Sequence, residues 1–198
     1  CLRECEAYVK AAGLALNRNQ ILQYYMIFGG VPYYWGFLKK GLSLSQNIDS
    51  ILFEKDAPLR DEFKYLYASV FKKPENYVKI IEALGTKKVG MTREEIITAT
   101  KIPNSGDLTT KLEELESCGF IRKYNAFGMK KKNAIYQLMD CFTLFYFKFL
   151  KSEPTDEHFW TNQINTPAAN TWMGMAFERV CMEHMDQIKF KLGISGVL

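Results

Sequence analysis

The run from Asn76 to Asp140 constrains this chain most, because its apolar spacing predicts helix, helix, helix and hairpin in that order. Tyr77, Ile80, Ile81 and Leu84 recur at i, i+3, i+4 and i+7, a helical stripe that ends at Gly85. Thr92 and Glu95 have the spacing of a capping box, so a second helix is predicted from Thr92 to Thr100, with Ile96 and Ile97 inward. Pro103, Asn104, Ser105 and Gly106 break it, and Leu108, Leu112 and Leu115 mark a third helix closed by Gly119. Phe120 to Tyr124 and Ala134 to Leu138 are β-prone runs separated by a polar, basic segment containing Gly128, which predicts a hairpin. Three helices and a hairpin make a winged helix-turn-helix, with the third helix as recognition helix and the hairpin as wing.

The charges on these elements point two ways. Between Ile121 and Met139 the chain carries Arg122, Lys123, Lys130, Lys131 and Lys132 and no acidic residue, a local field suited to phosphates on a duplex backbone. The predicted recognition helix instead holds Asp107, Glu113, Glu114 and Glu116 against Lys111. Only its first turns, with Ser105, Thr109 and Thr110, approach a groove without repulsion. The expected partner is therefore duplex DNA, contacted by Ser105, Thr109, Thr110, Arg122, Lys123, Lys130, Lys131 and Lys132. A winged helix that docks a protein partner, with its acidic helix as a solvated face, is the competing reading.

Around this element the chain is predicted to be mainly α, in three parts. Residues 1–73 form a helical, lid-like bundle, 74–140 the winged helix, and 141–198 a helical extension. In the bundle, Gly29 and Gly30 stop a helix over Gln20 to Phe28, and Pro32 sits where the next can begin. Ser43 and Gln46 form another capping box, and the basic joint Lys72-Lys73-Pro74 marks the boundary. In the extension, Ala176, Phe177, Val180, Cys181, His184, Met185 and Ile188 follow helical spacing in a helix predicted from Trp172 to Leu192. His184 on that face is expected to be a satisfied core histidine.

Composition excludes several classes. With 47% hydrophobic residues among 198, the chain can bury one core or two small ones, and a net charge of +4 is mild. Five scattered cysteines without a C-x-x-C pair fit reduced thiols in a cytoplasmic protein, not a disulfide framework or a zinc site. The longest apolar run, Cys141 to Leu150, contains Lys148 and is half the length of a membrane span, so no membrane partner is expected. No phosphate-binding G-x-x-x-x-G-K-[ST] loop is present, and His158 and His184 are too few for a triad or a metal site. No cofactor, no metal and no activity are expected of this chain alone. An opening helix without a cap, and a strand-like end over Ile194 to Leu198, suggest a piece of something longer.

At Phe28-Gly-Gly-Val-Pro-Tyr-Tyr-Trp35 the chain resembles the archaeal-type P-loop ATPases of the AAA+/STAND class, which also occur in bacteria. The family's GG-x-P-x-Y segment is matched by Gly29, Gly30, Pro32 and Tyr34. The resemblance continues through Ser43-Leu-Ser-Gln-Asn-Ile-Asp49, Leu112-Glu-Glu-Leu-Glu-Ser-Cys-Gly-Phe-Ile-Arg-Lys-Tyr124 and Ile135-Tyr-Gln-Leu-Met-Asp140. It implies that the chain is the C-terminal regulatory part of an ATPase, resting on its own ATPase core, with ATP and magnesium bound in the parent protein. Family members commonly end in a nuclease-like domain. The segment from Trp172 to Cys181 is similar to that domain's first helix, which makes Glu178 the matching position. A truncated metal-dependent nuclease is thus a further alternative.

Overall fold

The computed structural model describes residues 1–125 and 134–196. It is mainly helical, 61% helix, with one small three-stranded sheet. The chain opens with α1 (Leu2–Ala11), α2 (Arg18–Phe28), α3 (Pro32–Trp35) and α4 (Leu44–Ile48), the last running on as a wider π-helical turn over Asp49–Phe53. Next come α5 (Glu62–Val70), α6 (Glu75–Gly85), β1 (Met91–Thr92), α7 (Arg93–Thr100), α8 (Gly106–Ser117), β2 (Ile121–Tyr124) and β3 (Ile135–Leu138). α9 (Cys141–Phe145) follows with a second π-helical turn over Tyr146–Leu150, then α10 (Phe159–Gln163), α11 (Pro167–Glu183) and α12 (Met185–Lys191). Among the described residues, no helix is long and apolar enough to cross a membrane.

Two compact units result. One combines Cys1–Pro58 with the chain from Glu153 onward, and the other is Leu59–Ser152. These divisions differ from the joints expected at 73/74 and 140/141. The reason is aromatic packing that draws α5 and α9 onto the sheet. Tyr67 shares a hydrogen bond with Thr143 at 2.8 Å and packs on Phe120, while Phe63 stacks on Tyr146 at 4.0 Å between centroids. Phe71 stacks on Tyr77 at 3.9 Å, so Lys72-Lys73-Pro74 is a turn within a packed unit and not a linker.

In the first unit, local chemistry explains the order of short helices. Asn17 caps α2 by accepting from the Gln20 amide at 2.9 Å, and the Gln20 side chain accepts from the Asn17 amide in return. α2 ends because Gly29 turns into positive φ, 63°, and Pro32 starts α3 at its first position. The Trp35 indole N–H donates to the Gly29 carbonyl at 2.9 Å, which ties that turn shut. Tyr34 and Trp35 are core residues, whereas Tyr33 is 60% exposed.

The run from Ser43 to Asp49 does three structural jobs. Ser43 and Gln46 form the expected capping box at the start of α4. Buried Asn47 accepts from the Lys39 amide at 2.8 Å and donates to the Lys39 carbonyl at 3.2 Å, which clamps the preceding loop. Buried Asp49 accepts from the Trp160 amide at 2.7 Å, the Thr161 amide at 3.1 Å and the Thr161 hydroxyl at 2.5 Å.

The helix predicted over Trp172 to Leu192 is present as two. α11 starts earlier, at Pro167, where the Thr166 hydroxyl accepts from the Ala169 amide. It is interrupted at His184, whose backbone leaves the helical region and whose Nδ1 lies 2.9 Å from the Val180 carbonyl. His184 is half-buried and bonded, but the expected apolar face is narrower than its spacing suggested. Trp172, Ala176 and Val180 are buried, whereas Phe177 and Met185 are 48% and 40% exposed. Gly174 faces open space in mid-helix. Gly174→Ala is expected to raise the unfolding free energy by about 0.5–1 kcal/mol, read by urea denaturation.

The second unit surrounds an antiparallel sheet of order β1-β3-β2. Met91 faces Tyr136 across one ladder, and Ile121 faces Leu138 across the other. α6 packs on α7 and β3, and α8 packs on β2. Ile80, Ile81 and Leu84 of α6, Ile96 of α7 and Leu108, Leu112 and Leu115 of α8 form the core, as their spacing predicts. Ile97 is only half-buried. The Thr92–Glu95 capping box is formed, with bonds of 3.3 and 2.7 Å. β1 is an addition to the expected two-stranded hairpin, and Gly90 with φ 85° brings the chain against β3.

Candidate nucleic-acid interface

The turn into α8 is built by Arg93. Its Nε donates to the Asn104 side-chain oxygen and its terminal nitrogen to the Ser105 carbonyl, both at 2.9 Å. Ser105, extended at φ −136°, is the cap residue of α8 but makes no side-chain cap bond. Its exposed hydroxyl is therefore not committed to the helix. Thr109 and Thr110 are also exposed, and their hydroxyls donate back to the carbonyls of Ser105 at 3.5 Å and Gly106 at 3.2 Å. Each oxygen keeps lone pairs that can accept a bond. The structure thus brings Ser105, Thr109 and Thr110 together on the first turns of one helix.

The same end of α8 gains positive charge from Arg93, which was not anticipated from sequence. Arg93 sits there by its own hydrogen bonds, and exposed Lys101 ends α7 in the left-handed region, φ 59°. Neither lies in a basic run; only the paired geometry of two helices places Arg93 beside Ser105.

Three acids of α8 are engaged within the unit. Asp107 pairs with Lys111 at 2.5 Å, Glu116 accepts from the Lys123 amide at 3.1 Å, and Glu114 accepts from the Tyr77 hydroxyl. Burial, followed by the neighbouring Glu114, pushes the Tyr77 phenol up to about 12, so it remains a neutral donor at physiological pH. These bonds fix where the carboxylates point without removing their charge.

On β2, Arg122 and Lys123 do not form one basic surface. Successive strand residues face opposite sides of a sheet. Arg122 lies with Gln137 and Tyr124, donating to the Gln137 side chain at 2.8 Å with its guanidinium 4.8 Å from the Tyr124 ring. Lys123 is on the other face, its ammonium 5.8 Å from the Tyr136 ring. Gln137 in turn donates to the Lys88 carbonyl at 2.6 Å, so Arg122 belongs to a tethered network. Lys130, Lys131 and Lys132 lie outside the described residues.

Glu178 is an exposed residue of α11, and among the described residues no group of three His, Cys, Asp or Glu side chains is placed to hold a metal ion. No family model matches this chain, and no curated protein or solved structure matches it either.

Proposed function

We propose that the second unit is a winged helix that binds duplex DNA, with α8 as its recognition helix. The order α6, β1, α7, α8, β2, β3, with β3 central in the sheet, supports this reading. The observation that carries it is the exposed start of α8, where Ser105, Thr109 and Thr110 lie on the helix whose entry Arg93 holds. Exposed hydroxyls beside Arg93 suit a helix that enters N-terminus first, with Asp107 of its first turn paired to Lys111 and the glutamates on later turns. In the same reading the chain is a regulatory part of an AAA+-type P-loop ATPase. The basis is the resemblance at Gly29, Gly30, Pro32 and Tyr34, and ATP with magnesium would bind in the parent's core.

The test is binding to random-sequence duplex across a salt series. Log affinity is expected to fall linearly with log salt, and replacing Lys130, Lys131 and Lys132 with alanine to reduce that slope by about two to three. Equal affinity and equal slope for wild type and variant would overturn the basic-wing reading. The acidic face of α8, with exposed Glu113, favours a second reading in which this helix docks a protein with a basic groove. Salt-insensitive binding of a protein partner, with no duplex binding at low salt, selects it.

A further inference from the structure

Three lysines and an apolar wall meet in a concavity of about 450 Å³ where the end of α5, the start of α6 and one flank of α8 converge. Val70 and Phe71 form the wall, and the 3.9 Å stacking of Phe71 on Tyr77 holds it rigid. Lys72 and Lys73 are exposed and form no ion pair among the described residues. Lys111 is positioned from below, with its ammonium 5.3 Å from the Tyr77 ring centroid and 2.5 Å from Asp107. The carboxylate in the lining, Glu114, is turned onto the Tyr77 hydroxyl. Three ammonium groups against Glu114 and the Asp107 carboxylate paired with Lys111 leave a net charge of one positive unit.

Lys72 and Lys73, which form no ion pair among the described residues, offer two charges to a dianion. The space is larger than a bare phosphate needs and falls in the range of about 300–1,000 Å³ typical of small-molecule sites. We propose that this pocket binds a phosphomonoester attached to an apolar or aromatic body, the chemistry of a nucleotide. Lys72 and Lys73 take the phosphate, Lys111 sets the field beneath it, and the body lies against Val70 and Phe71. None of these side chains belongs to the exposed first turn of α8, so the site stands apart from the duplex-binding reading.

Titration of the whole chain with adenosine monophosphate, adenosine and inorganic phosphate, followed by calorimetry, tests this. Saturable binding of the monophosphate is expected, stronger than that of either part. The Lys72→Ala/Lys73→Ala double variant is expected to bind about tenfold more weakly, with an unchanged far-ultraviolet spectrum because both side chains are exposed. Val70→Asp, which places a carboxylate on the wall, is expected to weaken it as well. Lys130, Lys131 and Lys132 to alanine leaves it unchanged, so failure here is distinguishable from failure of DNA binding. Competition by a terminally phosphorylated single strand supports a nucleic-acid end as the ligand; its absence, with the monophosphate bound, supports a free nucleotide. No saturation by the monophosphate, or equal binding by the double variant, overturns the proposal.

Discussion

Asp49→Ala is expected to lower the unfolding free energy by about 3 kcal/mol, because it strips a buried carboxylate from three donors at once. Trp160 is fully buried, and its amide would lose its acceptor, leaving an unsatisfied N–H in the core of the first unit. The Thr161 amide is nearer solvent and loses less. Asp49→Asn retains shape and one acceptor oxygen but turns an amide N–H toward the Thr161 donors, so it is expected to recover about half of the loss. Urea denaturation followed by Trp fluorescence measures both. An alanine variant within about 0.5 kcal/mol of wild type would show that the bonds to Trp160 and Thr161 contribute little net stability.

Gly90→Ala is expected to be at least as costly, for a different reason. A Cβ at this position falls 2.3 Å from the Tyr136 carbonyl oxygen, and φ of 85° is a conformation that side-chain-bearing residues rarely adopt. The obstacle is backbone, so no rotamer change relieves it. Either β1 separates from β3 or the loop rebuilds, at a cost of about 3 kcal/mol or more. Hydrogen exchange reads the outcome: the amides of the β1–β3 ladder should lose protection before those of α8. Retained ladder protection and unchanged stability would contradict this account. If the second unit binds duplex DNA as proposed, that binding should fall with it, since β1 pairs with β3.

Much of the second unit was legible in its sequence, because helical stripes and capping boxes are local signals. Tyr77, Ile80, Ile81 and Leu84 face inward as their spacing predicts, and Thr92 caps α7 as its spacing to Glu95 predicts. β1 was not legible, since two residues carry no period. Nor was the unit boundary: Lys72-Lys73-Pro74 has the composition of a linker, and only the stacking of Phe71 on Tyr77 places it inside the unit. At the candidate interface, Ser105, Thr109 and Thr110 are together, but Arg122 and Lys123 are separated by the alternation of the strand itself. Adjacent basic residues count as one patch in a sequence and as two faces in a sheet. Arg93 and Asp49 escaped notice because each acts on a partner that folding, not spacing, supplies.

The first unit is made from both ends of the chain, with the second unit inserted between them in sequence. Asp49 waits for Trp160, 111 residues further on. During synthesis from the N-terminus, α1 to α4 therefore emerge before the segment that completes their core. The whole of Leu59–Ser152 leaves the ribosome before Trp160 does, and its own contacts are all available by then. The middle of the chain is thus free to fold first, and the N-terminal helices are the stretch a chaperone has reason to hold.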